Sequence, residues 1–264
     1  VCSSDLDPTL ESVSPTLSAT IQNRDPSVRS DSIQLFLNGK SIAGAVSVLA
    51  DGASISAPIS PLPASGALNS ARVIYRDNLN VLQTNDWSFT VVYKSLNPAN
   101  RKSSPGAERG FVNRMVQAPA DAPIDVFPRN ENSLARAEDQ LAIPSRYPAF
   151  IDINAVIPVV NQNKILGRSQ GAFPDDQIVP GLFDENQVSL GSGNNVFAVE
   201  ITAYLDLAAG VYRFGAITDD GYKCSSGRSL HDASSAGVLG AHSGGPANET
   251  FDFVVTAAGL YPFR

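Results

Sequence analysis

Charge is the first scarcity in this 264-residue chain: Asp, Glu, Lys and Arg make up 17% of it, against about 25% in an average soluble domain. What charge there is leans acidic, with 19 basic against 26 acidic residues and a net charge of -7. A nucleic-acid-binding face needs a basic surplus to displace phosphate counterions, so this balance argues against that class of partner. Long hydrophobic runs are missing too. The best, residues 149–160, is broken by Asp152, Asn154 and Pro158, well short of the ~18 residues of a membrane-spanning helix. No membrane span is expected.

Catalytic signatures are equally thin. There is no Gly-x-Ser-x-Gly elbow, no His-Glu-x-x-His and no Gly-x-x-x-x-Gly-Lys loop, the motifs that place nucleophiles, zinc or phosphates. Gly191-Ser192-Gly193 lacks the third glycine and the strand-to-helix setting of a dinucleotide site. The two histidines, His231 and His242, fall in a Gly/Ser-rich stretch near Asp232 and Ser243. A hydrolase triad could be drawn from these four, but nothing in the sequence orients the base. Zinc would need a further ligand that the spacing does not supply. They read as solvated loop residues, and no enzyme activity is expected from this chain.

What is present is a β-rich pattern. Residues 15–93 carry short runs of β-branched and aromatic residues at the spacing of a sandwich. Ser32 to Leu37 leads into Asn38-Gly39, a strong hairpin signal because both turn positions need positive φ. A second hairpin is expected around Asp51-Gly52. Two further strands are expected at 71–75 and 87–93, separated by a polar stretch, with Trp87 in the core. Residues 94–145 lose the alternation and read as a linker, relieved by one short helix where Leu134, Ala137 and Leu141 share a face and which Pro144 should stop. Beyond it, Phe197, Val199, Ile201, Ala203 and Leu205 alternate with polar residues. Ala209-Gly210 then turns the chain into Val211–Ile217, and Phe251, Phe253 and Val255 mark another strand. The expectation is an all-β chain of two β-sandwich domains with a linker carrying one short helix.

The ends invite their own reading. Val1-Cys2-Ser3-Ser4-Asp5-Leu6 resembles the translated end of a sequencing adapter, so residues 1–14 are read as an artefactual or disordered start. Cys224 is then left without a disulfide partner and reads as a small buried hydrophobe. The chain also stops within the strand-like Leu260–Arg264, which suggests a second sandwich truncated on an unpaired edge. A fragment of a longer protein is expected.

Two resemblances add function. Asp31-Ser32-Ile33-Gln34-Leu35-Phe36-Leu37-Asn38-Gly39, with the later Trp87-x-Phe89 strand, resembles the immunoglobulin-like repeats of large bacterial surface proteins, which implies a spacer over residues 15–93. Gly210-Val211-Tyr212-Arg213-Phe214, running into Asp219-Asp220-Gly221 and followed by Gly259-Leu260-Tyr261-Pro262, resembles the PA14 family. That resemblance implies a jelly-roll sandwich over residues 146–264. In sugar-binding members the paired aspartates, joined by a cis peptide, hold a calcium ion that also grips sugar hydroxyls. Carried over, the metal and carbohydrate ligands would be Asp219 and Asp220, with Asn248 as a further metal ligand. Calcium takes six to eight oxygens, so the loop 225–248, with Asp232 among its acceptors, would have to supply more. Asp-Gly is also an ordinary turn former. The resemblances thus imply an extracellular or cell-surface bacterial module that binds a glycan with Ca2+. The alternatives are a structural spacer without ligand and an accessory domain of a glycoside hydrolase.

Overall fold

The computed structural model describes residues 2–3, 9–104, 109–118, 131–142, 150–164, 175–182 and 195–264. The chain is all-β apart from one α-helix among those residues, and it divides into two compact units, Val1–Ser95 and Leu96–Arg264. Each is built on face-to-face sheets.

The first unit holds β1 (Cys2–Ser3), β2 (Thr9–Glu11), β3 (Thr16–Gln22), β4 (Gln34–Leu37), β5 (Lys40–Ile42), β6 (Ala45–Leu49), β7 (Gly52–Pro58), β8 (Leu68–Arg76) and β9 (Leu82–Val92). They form a four-stranded sheet ordered β1-β3-β7-β6 and a five-stranded sheet ordered β2-β9-β8-β4-β5. Side chains on a strand alternate between faces, and the apolar set of each sheet points inward. Leu17, Ala19 and Ile21 of β3 and Ala53, Ile55 and Ala57 of β7 form one wall of the core. Leu35, Ala71, Val73, Trp87, Phe89 and Val91 form the other. Trp87 is therefore a core residue.

Both hairpins form. Asn38 and Gly39 take φ of 50° and 77° between β4 and β5, the mirror-image turn whose twist matches the flanking strands. Leu49 pairs with Gly52 around the second turn. The polar stretch after Tyr75 is mostly strand rather than loop, because β8 and β9 stay paired out to Arg76 opposite Leu82. The buried Asp77 closes the tip by accepting the backbone N–H groups of Leu79 and Val81. Within the expected disordered start, Thr9–Glu11 pairs in parallel with β9.

The second unit holds β10 (Phe111–Gln117), α1 (Leu134–Ala142), β11 (Ile151–Ile157), β12 (Gln162–Asn163), β13 (Gln177–Ile178), β14 (Phe197–Leu207), β15 (Gly210–Thr218), β16 (Tyr222–Ser226), β17 (Gly237–His242), β18 (Ala247–Val255) and β19 (Gly259–Phe263). A six-stranded sheet runs β11-β10-β14-β19-β16-β17, and β15 pairs with β18. The turn at Ala208-Ala209 therefore carries the chain from one sheet to the other, since β14 and β15 belong to different sheets. Leu207, Leu239, Tyr261 and Phe263 from the large sheet meet Tyr212, Phe214, Phe253 and Val255 from the small one. Phe214 and Phe253 pack edge-on at 4.9 Å between ring centroids, a favoured aromatic geometry.

Three expectations change here. The stretch read as a linker contributes Leu96 to this core, with its N–H bonded to Val254 O, and contributes β10 to the interior of the large sheet. Leu260–Arg264 is no unpaired edge: β19 lies between β14 and β16, and Arg264 exchanges backbone hydrogen bonds with Ser225. The stretch 225–248 is not one loop, since it contains β17. The expected stop at Pro144, the start of the second sandwich near residue 146 and Gly191-Ser192-Gly193 lie outside the described residues.

Asn113 of β10 is fully buried, and neither its amide nitrogen nor its oxygen has a hydrogen-bond partner among the described residues. An unpaired buried amide costs about 1–3 kcal/mol. Replacing Asn113 by the similarly sized Leu should raise the unfolding free energy by roughly 1 kcal/mol. Urea denaturation of both chains checks this; a loss of stability would mean that the amide is satisfied.

Candidate functional site

The aspartate pair sits at a corner. β15 pairs with β18 along its whole length, so Ile217 faces Asn248 and Thr218 faces Ala247. Asp219 and Asp220 form the bend after β15, both exposed, and β16 starts at Tyr222. Gly221 is needed where it stands: a Cβ there would lie 2.6 Å from His242 O. The cis peptide bonds among the described residues are Asp25-Pro26 and Ser60-Pro61, so the Asp219-Asp220 bond is trans. Asp220 Oδ1 accepts a 2.6 Å hydrogen bond from Asn132 Nδ2, just before α1. Asn248 is exposed on β18.

As donors for calcium these three side chains offer part of the six to eight oxygens the ion takes. Among the described residues no three His, Cys, Asp or Glu side chains come together as a metal site. Asp232 is engaged locally, accepting Arg228 N–H, Ser235 N–H and the Ser235 hydroxyl. Those bonds, led by the Arg228 backbone, hold its carboxyl down at about 2.

The residues of the hypothetical triad are engaged with partners outside it. His242 lies on β17, with Nδ1 2.9 Å from Glu249 Oε1, and Glu249 also accepts the Tyr222 hydroxyl at 3.1 Å. His231 faces Glu200, at 3.3 Å. Ser243 Oγ accepts the N–H of Leu134 at 3.3 Å. Cys224 packs beside the aromatic core, and burial pushes its thiol up to about 11, which leaves it a poor nucleophile at neutral pH.

No family model, curated protein or solved structure matches this chain. Its chemistry must be read from its own side chains, and the described residues hold a dense polar cluster that the alternation pattern did not reveal. Glu200 stands on β14 with its side chain 5% exposed. Arg264 Nε donates to it, and Arg114, its cross-strand neighbour on β10, brings Nη1 to 3.9 Å. Arg264 also grips both oxygens of Glu138 on α1, at 2.6 Å each, and Lys223 of β16 donates to the same carboxylate. Arg114 in turn makes a two-pronged pair with Asp152 and donates to Leu141 O at the end of α1. Gln140, buried, donates to the carbonyls of Val116 and Val196. The helix is thus docked by ions and amides. The side chain it buries is Gln140 rather than the expected Leu134, Ala137 and Leu141 stripe. The sequence signal was Glu200, an ionisable residue within the longest alternating run.

Desolvation pushes the Glu138 carboxyl up, but the hydrogen bonds from Arg264 and Lys223 together outweigh it, so the group ionises below its ordinary range. Its contribution to stability is complete above the unfolded value of about 4.3 and is lost as pH falls through the folded value. Glu138→Gln should cost roughly 2 kcal/mol at pH 7, because two cations lose their shared anion. The variant should also lose less stability than the parent on acidification from pH 5 to pH 3. Chemical denaturation across that range measures both effects.

Proposed function

We propose that this chain is a non-catalytic architectural segment, two β-sandwich modules in series, in a protein displayed outside the cell. The observation that carries the reading is the trans, hydrogen-bonded Asp219-Asp220 corner. Asp220 Oδ1 is engaged by Asn132, and among the described residues no third carboxylate, imidazole or thiol gathers with the pair to complete an ion's coordination. Asp220 instead ties the corner to Asn132, and Gly221 lets the chain pass close to β17. The corner serves as a joint between sheets. Low charge density and an acidic balance accord with an extracellular setting. The immunoglobulin-like and PA14-like resemblances point to the same class of surface protein.

The second reading, calcium-assisted glycan binding through Asp219, Asp220 and Asn248, is favoured by the exposure of both carboxylates next to the β18 strand that carries Asn248. Thermal unfolding in calcium and in chelator separates the two. A ligand bound only by the folded state adds RT ln(1 + [L]/Kd), about 2.7 kcal/mol at a hundredfold excess over Kd. The architectural reading expects identical melting in calcium and chelator for the parent and for Asp219→Asn/Asp220→Asn. A calcium-dependent rise that the double variant abolishes would replace it with the metal reading and justify a glycan array.

A further inference from the structure

In the first unit, β6 closes one side of the four-stranded sheet and pairs only with β7 among the described residues. All five of its residues are exposed. Val46 and Val48 stand opposite Ile55 and Ala53, which are buried in the core at 2% and 0% exposure, and opposite residues share a face. Yet Val46 is 40% and Val48 75% exposed. The core-side face of the sheet therefore continues past the part that the opposite sheet covers. Edge strands usually carry a charge, a proline or a bulge that blocks further pairing. β6 has none: no charged residue and no proline stands between Lys40 and Asp51. The outer strand of the other sheet, β5, begins with Lys40.

We propose that β6 is a self-association edge, taking the β6 strand of a second copy in antiparallel register. The strand is suited to a two-fold partner because Ala45-Val46-Ser47-Val48-Leu49 is nearly symmetric about Ser47. In a hairpin with a two-residue loop the flanking pair, here Leu49 and Gly52, is hydrogen-bonded. Ala45, Ser47 and Leu49 then spend their backbone groups on β7, while Val46 and Val48 turn theirs outward. Pairing centred on Ser47 sets each Val46 against Val48 of the other copy in the hydrogen-bonded positions. It also gathers four valines over the uncovered core face. A closed two-fold contact of this kind uses the same patch on both chains.

Disulfide capture tests the register in the whole chain carrying Cys2→Ser and Cys224→Ala. Ser47→Cys meets itself at a non-hydrogen-bonded pair, about 4.5 Å between Cα atoms, within disulfide reach. Val46→Cys is offset from its own copy and beyond that reach. The expected result is a covalent dimer from Ser47→Cys alone, lost when Val48→Lys is added. The chain without the new cysteine should sediment as a concentration-dependent dimer. Val48 is exposed in the single chain, so at concentrations where the parent is monomeric Val48→Lys should melt with it. The proposal fails if Ser47→Cys links no faster than Val46→Cys, if the dimer survives Val48→Lys, or if the chain is monomeric at every concentration.

Discussion

A carboxylate withdrawn from water needs a cation and hydrogen bonds, and Glu200 is withdrawn into the large sheet of the second unit. The arrangement on that face answers this requirement. Arg264 reaches Glu200 because β19 is inserted beside β14, and the remaining donors of Arg264 then capture Glu138 and, with it, α1. Arg114 spans the same carboxylate, Asp152 on β11 and the last turn of the helix. One buried charge thus links β10, β11, β14, β16, β19 and α1. Removing Glu138 leaves Lys223 without its anion and removing Arg114 leaves Asp152 without its cation, which makes the cluster a specifier of arrangement more than a source of net stability.

The opposite face of the same sheet is held together by a different force. There Leu207, Tyr261 and Phe263 pack on Tyr212, Phe214 and Phe253 of the two-stranded sheet, a dry aromatic layer of the kind that binds sandwiches. Around Glu200, β14 is therefore covered on both faces, apolar on one and ionic on the other. A strand whose polar alternates are also buried does not follow the usual rule of one wet face. That departure explains why Glu200 and Thr202 are buried although they occupy the polar positions of an alternating run.

The Asp-Asp-Gly corner makes structural contacts of its own. Its glycine permits a close passage by the His242 carbonyl, and its second aspartate fastens the segment before α1. A sandwich needs corners where strands leave one sheet for the other, and short acidic or glycine-containing bends suit them. The architectural function we propose would rest on what the chain's surfaces and edges meet, the bare β6 edge as much as the corner.

Much of the fold was legible because it is local. Alternation marked β14 and β18, Asn38-Gly39 marked its hairpin through the positive φ both residues adopt, and Leu134 to Leu141 marked the helix. Phe111–Gln117 was illegible as a strand, since Asn113, Arg114 and Gln117 put polar side chains on both faces. It is a strand because β11 and β14 satisfy its backbone and because Arg114 and Gln117 find partners there. The interior place of β19 was hidden for the same reason, as strand neighbours are chosen by distant segments. Local pattern, through backbone propensity and the periodicity of burial, determined by itself which segments are strands and where several of them turn. Only the tertiary structure decided which strands adjoin, and with that which charges meet: pairing in a sheet joins residues far apart in the chain, and a buried ion is stable only where that pairing brings its partner.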